Sequence, residues 1–140
     1  MEAISAIRFS GDIAGHKGLS AAAFFGDGEF LAIGADEGTA IQILRLAGDG
    51  HYEVSHSINL VAEQNDEEVD IEGIAYSDNG RLYVVGSHSR RRQRIDDRRR
   101  KKDNRKQLDK SESEPSREKL FELRIDSGGK LTDEIETTSL

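Results

Sequence analysis

The residues of this chain best suited to chemistry lie in three places. The first is the acidic run Asp66-Glu67-Glu68-Val69-Asp70-Ile71-Glu72. Asp70 and Glu72 flank Ile71 at the period of an extended strand, so both carboxylates project to one side. Hard oxygen ligands converging in this way suit Ca²⁺, which collects roughly six to eight oxygens. A solvated acidic loop ahead of a strand is the competing reading, and no D-x-D-x-D-G loop of the EF-hand type is present.

The second place is Ser87-His88. A histidine beside a serine and near carboxylates could serve as a general base or as a phosphate-binding cation, which makes His88 the candidate catalytic residue. No G-x-S-x-G elbow frames the serine, and a histidine that hydrogen-bonds between packed strands is the commoner use of the type. His16, His51 and His56 lack metal-ligand spacing and read as surface residues.

The third place is a basic segment. Residues 90–110 hold twelve Lys/Arg and four Asp, a local charge of +8 within a chain of net charge −7, so the remainder carries −15. Its two dense cores are Arg90, Arg91, Arg92 and Arg94, then Arg98, Arg99, Arg100, Lys101 and Lys102. Such density neutralises several phosphates and binds polyanions in a steeply salt-dependent way. No aromatic residues interleave it, which argues against stacking on bases, and it has no apolar face to enter a membrane. A solvated arm resting on the acidic body is the alternative.

The elements that must position these residues come from a repeat. Leu19 to Gly34 lies over Ile71 to Gly86 without a gap at a constant offset of 52, matching Gly28 with Gly80 and Gly34 with Gly86. Ile43-Leu44-Arg45-Leu46 then matches Glu122-Leu123-Arg124-Ile125 at an offset of 79, so the second copy carries about 27 extra residues between Ser89 and Lys119. Short apolar runs between Gly, Asp and Asn turns predict antiparallel strands near 19–25, 29–35, 40–47 and 52–60, and again near 71–77, 81–88, 118–126 and 131–138. Four hairpin-linked strands per copy describe a β-propeller blade. The expectation is an all-β protein of two four-stranded antiparallel blades, residues 1–62 and 63–140. The second blade carries the basic insertion at about 90–116, either helical over roughly 91–109 or disordered. The repeat places Asp36-Glu37 where Ser87-His88 stands in the other copy, and Asp36 and Glu37 join Asp70 and Glu72 as candidate metal ligands at a channel mouth.

The chain has no cysteine, which rules out disulfides, thiolate metal sites and a cysteine nucleophile. Its apolar stretches are too short to span a membrane and no signal-peptide run opens it, so a cytoplasmic location is expected. Two blades are fewer than the roughly four that close a ring, so the reading is of an amino-terminal fragment whose remaining blades are required for closure.

The block Asp70-Ile-Glu-Gly-Ile-Ala75 followed by Gly86-Ser-His-Ser89 and arginines resembles domain-of-unknown-function family 3616, an uncharacterised bacterial family. The likeness continues into Arg117-Glu-Lys-Leu-Phe-Glu-Leu-Arg-Ile-Asp126, and Leu19-Ser20 with Ala35-Asp-Glu-Gly38 is similar to the same family's first blade. The D-x-E-G-I-A pattern is also similar to esterase-like phytase propellers and calcium-binding propellers. The resemblance implies a longer propeller with no established activity. The leading functional expectation is a binding or interaction module, with a protein or a polyanion as the partner classes and no membrane. The alternatives are a calcium-dependent phosphoesterase-like hydrolase, with Ca²⁺ as the only cofactor implied, and polyanion or nucleic-acid binding through the arginine-rich insertion.

Overall fold

The computed structural model describes residues 7–14, 18–61, 69–86, 91–92, 111–112 and 119–139. Among the described residues eleven strands run in chain order: β1 Phe9–Ser10, β2 Leu19–Phe25, β3 Phe30–Ala35, β4 Ala40–Leu46, β5 Tyr52–Asn59, β6 Ile71–Ser77, β7 Arg81–Gly86, β8 Arg91–Arg92, β9 Ser111–Glu112, β10 Lys119–Arg124 and β11 Glu136–Ser139. Among the described residues there is no helix. The protein is all-β, with a five-stranded sheet ordered β1-β5-β4-β3-β2 and a four-stranded sheet ordered β11-β10-β7-β6. Within each sheet four strands form an antiparallel meander, an arrangement consistent with two blades of a partial propeller.

Two features depart from the sequence expectation. The first sheet gains β1, which pairs in parallel with β5 through Phe9 opposite Tyr52. Arg91 and Arg92, where the helical alternative for the insertion would begin, are extended and pair with Glu112 and Ser111. The rest of that span, residues 93–110, lies outside the described residues.

Turn chemistry sets the two inner hairpins. Between β2 and β3, Asp27 (φ 54°) and Gly28 (φ 86°) both adopt left-handed backbone, as the primed hairpin turns require. Between β6 and β7 the connection is one residue shorter, with Gly80 (φ 80°) closing it by donating its amide to Ser77 at 3.0 Å. The gapless alignment therefore hides a one-residue slip: Leu19 sits opposite Ala35, whereas Ile71 sits opposite Gly86. Both hairpins carry a register shift at corresponding places, between Leu19 and Ala21 and between Ile71 and Gly73.

One apolar cluster binds the sheets face to face. Phe25, Phe30, Ala32, Ile41, Ile43 and Ile58 from the first sheet meet Ile71, Leu82, Val84, Phe121, Leu123 and Ile125 from the second. Alternation along each strand sends these residues inward and their neighbours to the outer faces. β3 departs from that alternation because both of its faces are buried. Its outer-facing Leu31 and Ile33 join Leu44, Tyr52 and Ile13 in a smaller cluster.

Ile13 reaches that outer face as part of a strap, residues 11–14, held by Gln42. The Gln42 side-chain amide donates to the Asp12 carbonyl at 2.8 Å and its oxygen accepts from the Ala14 amide at 3.0 Å. Gln42 is the buried polar residue of the described chain, and both halves of its amide are satisfied.

Candidate functional site

The strand directions bring the four candidate carboxylates to one end of the molecule. Asp36 and Glu37 lie in the loop after β3, Asp70 precedes β6, and Glu72 stands in its first turnings. The loops are tied together there: the Val69 amide donates to the Gly38 carbonyl at 3.0 Å, and the Asp36 amide donates to the Gly18 carbonyl at 3.0 Å. The Ser20 hydroxyl donates to the Ile71 carbonyl, linking the starts of β2 and β6. Close approach at this end requires Gly34, where an added Cβ would stand 2.8 Å from the Ile71 Cγ2 atom.

Asp36, Glu37 and Glu72 are exposed and Asp70 is half-buried in a left-handed conformation (φ 53°). Among the described residues, no three carboxylates, histidines or cysteines stand close enough to hold a metal ion. The structure thus gathers these residues at one end without converging them on a point. Ser87, His88 and the basic cores from Arg94 to Lys102 lie outside the described residues, as does Arg90; Arg91 and Arg92 are placed by their backbone alone.

The same end receives the basic insertion. β7 finishes at Gly86, which pairs with Ile71 at the start of β6. β10 begins beside it, with Leu120 opposite Val85. The short β8–β9 ladder pairs the two arms of the insertion near its base.

The opposite end carries features that the sequence reading missed. His56 is half-buried at the contact between the sheets, not a surface residue. A β-bulge leaves Ser55 unpaired between His56, opposite Ile43, and Val54, opposite Leu44. The His56 Nε2 donates to the Gly129 carbonyl at 2.8 Å, because a carbonyl can only accept. With the proton on Nε2, Nδ1 accepts the Ser55 hydroxyl, 3.0 Å away. Spacing could not reveal this pair, since strict alternation would send Ser55 and His56 to opposite faces. His51 sits between Asp49 and Glu53, where its backbone amide holds the Asp49 carboxyl below the usual carboxylate range.

An apolar ledge occupies the outer face of the first sheet at this end. Tyr52 donates its hydroxyl to the Gly28 carbonyl at 2.6 Å, and its ring lies 5.9 Å from that of Phe24. Around Tyr52 the side chains of Phe9, Phe24 and Leu46 are 40%, 49% and 41% exposed. The doublet Phe24-Phe25 was the available signal, since adjacent strand residues place one aromatic ring on each face.

Among the described residues, no helix is long and apolar enough to cross a membrane. No curated protein and no solved structure matches the chain. A family model does match, over residues 18–139, from the start of β2 to the end of β11, and the chain therefore belongs to the family described as "Protein of unknown function (DUF3616)".

Proposed function

We propose that this chain is a propeller-type binding module, that its recognition end is the strand end bearing both Asp36, Glu37, Asp70 and Glu72 and the roots of the basic insertion, and that its partner is anionic. The observation that carries this reading is topological. β7 and β10 open and close the insertion at the end where β6 starts, so a segment of local charge +8 is anchored beside the exposed carboxylates. Loops at one end of a rigid stack of sheets are the usual place for recognition. The arginines would supply affinity, and the neighbouring carboxylates would reject anions that do not reach past them. The calcium-dependent hydrolase reading has no supporting group of three ligands among the described residues.

Heparin chromatography in a salt gradient tests the reading. The full chain is expected to be retained at low salt, and deletion of residues 93–110 to bring it into the flow-through. The triple variant D36N/E37Q/E72Q is expected to elute at higher salt than the parent, because it removes like-signed repulsion beside the arm. Retention that survives the deletion, or a triple variant that elutes with the parent, would show that this end is not one recognition surface.

A further inference from the structure

We infer that the outer face of the first sheet is a peptide-binding seat in which residues 7–14 stand as the chain's own ligand. The partner it fits is an extended segment of another protein, with a glycine two residues before an aliphatic side chain. The inference goes beyond the anionic partner proposed for the acidic end and does not depend on it. Residues 7–14 lie outside the span that the family model matches, which begins at residue 18. They are held as a docked peptide is held. Seven of the eight are exposed, and Ile13 is half-buried.

The backbone of this segment is read in the same manner at two places. At the sheet edge the Tyr52 amide donates to the Arg8 carbonyl at 2.8 Å, and Phe9 pairs in parallel with Tyr52. Further along, the Gln42 side chain takes over. Its amide donates to the Asp12 carbonyl and its oxygen accepts from the Ala14 amide, one on either side of Ile13. A parallel neighbouring strand engages the same two groups, and here one side chain supplies both halves. Addition of an extended chain to a sheet is a recurring mode of peptide recognition. Without an occupant the buried amide of Gln42 would lose both of these partners, so this face is built to be filled.

Two positions make the seat selective. The Ile13 side chain packs against the cluster of Leu31, Ile33, Leu44 and Tyr52. Gly11 (φ 96°) crosses β5 so closely that an added Cβ would stand 3.2 Å from the Cβ of Val54. Phe9, Ser10 and Asp12 are exposed, so other side chains are tolerated there. Past Ala14 the seat continues into a groove of about 160 Å³ lined by Leu19, Thr39, Gln42 and Ser57.

Fluorescence anisotropy with a labelled synthetic peptide of residues 7–14 tests the inference. A tethered segment competes for its seat at an effective concentration of about a millimolar, so the parent chain is expected to take up little peptide. The full chain carrying Ile13→Asp frees its seat and is expected to bind the peptide at least about tenfold more tightly. Gly11→Val in the chain frees the seat by strain and crowding if Ile13→Asp does not fold, with circular dichroism reporting the fold. Peptides carrying Ile13→Asp or Gly11→Ala are expected to bind weakly, and Gln42→Leu added to the freed chain to abolish uptake. A freed chain that takes up no peptide overturns the inference and makes residues 7–14 fixed packing. Equal uptake by parent and freed chains, or equal binding of all the peptides, also overturns it, because the peptide would then bind elsewhere. Heparin retention of the freed chain should match that of the parent, which separates failure here from failure of the proposed anionic partner.

Discussion

At the residue scale, the turn that meets His56 gives a pH-dependent prediction. Asp126 accepts the amides of Lys130 at 3.0 Å and Gly128 at 2.9 Å, and its carboxyl lies below the usual range. The cause is first these two backbone donors, then the positive charge of Lys130 and of His56 when protonated. A depressed carboxyl contributes stability that is fully present above its unfolded value, about 3.9, and lost as pH falls through the folded one. Acidification below about pH 4 should therefore lower the protection factors of the Gly128 and Lys130 amides before the sheets unfold. Asp126→Asn keeps an accepting oxygen but cannot titrate, so in that variant the acid-dependent step should vanish from the NMR exchange profile. Gly34 makes a second residue-scale case. Its missing Cβ leaves room for fully buried Ile71, whose Cγ2 and Cδ1 would stand 2.8 Å and 3.0 Å from the new atom. Gly34→Ala should cost about 1–3 kcal/mol in urea unfolding. Combining it with Ile71→Val, which removes one of the two clashing methyls, should recover part of the loss; simple additivity of the two changes would refute the clash.

At the scale of elements, the meander strands were legible because their apolar runs and Gly turns obey local rules. β2 and β6 fall on their expected bounds, and β3, β4, β5, β7 and β10 fall within two residues of theirs. β11 begins later than its apolar pattern suggested, because Leu131 makes only an isolated bridge to Ile125 before the chain turns. The strap and β1 were not legible. Ile7 to Ala14 has no period, its strand is two residues long, and its partners are more than 25 residues away. Gln42 was equally silent, reading as a polar interruption in an apolar strand until its amide is seen gripping Asp12 and Ala14. The grip carries its own test. Gln42→Glu keeps the acceptor for the Ala14 amide but turns a carboxylate toward the Asp12 carbonyl. It should lose about 1–3 kcal/mol and expose the strap to limited proteolysis. Of the candidate site, the four carboxylates were legible as strand-end residues, whereas their failure to converge depends on loop geometry that spacing cannot encode.

At the scale of the whole molecule, the sequence suggests two units divided near residue 62, yet the core does not divide there. Phe25, Ile41 and Ile43 bury their faces against Leu82, Phe121 and Leu123, and all lie in one cluster. Each sheet on its own would expose that face to water, at a cost of about 1.5–3 kcal/mol for every large side chain uncovered. A sheet of this size cannot recover such a loss from its own hydrogen bonds, which net only about 1 kcal/mol each. The two blades should therefore behave as one cooperative unit. Phe121 is 1% exposed, and Phe121→Ala should remove about 3–5 kcal/mol by leaving a cavity at the contact between the sheets. The loss should be felt equally on both sides of that cavity. Hydrogen exchange of peptides from β3 and β4 and of peptides from β7 and β10 should lose protection by the same free energy. Residues 1–62 expressed alone should lack a cooperative transition, and adding residues 63–140 in trans should restore one. Protection lost only in the second sheet, or a folded 1–62 fragment, would make the blades independent domains and assign the interface between them to docking instead of folding.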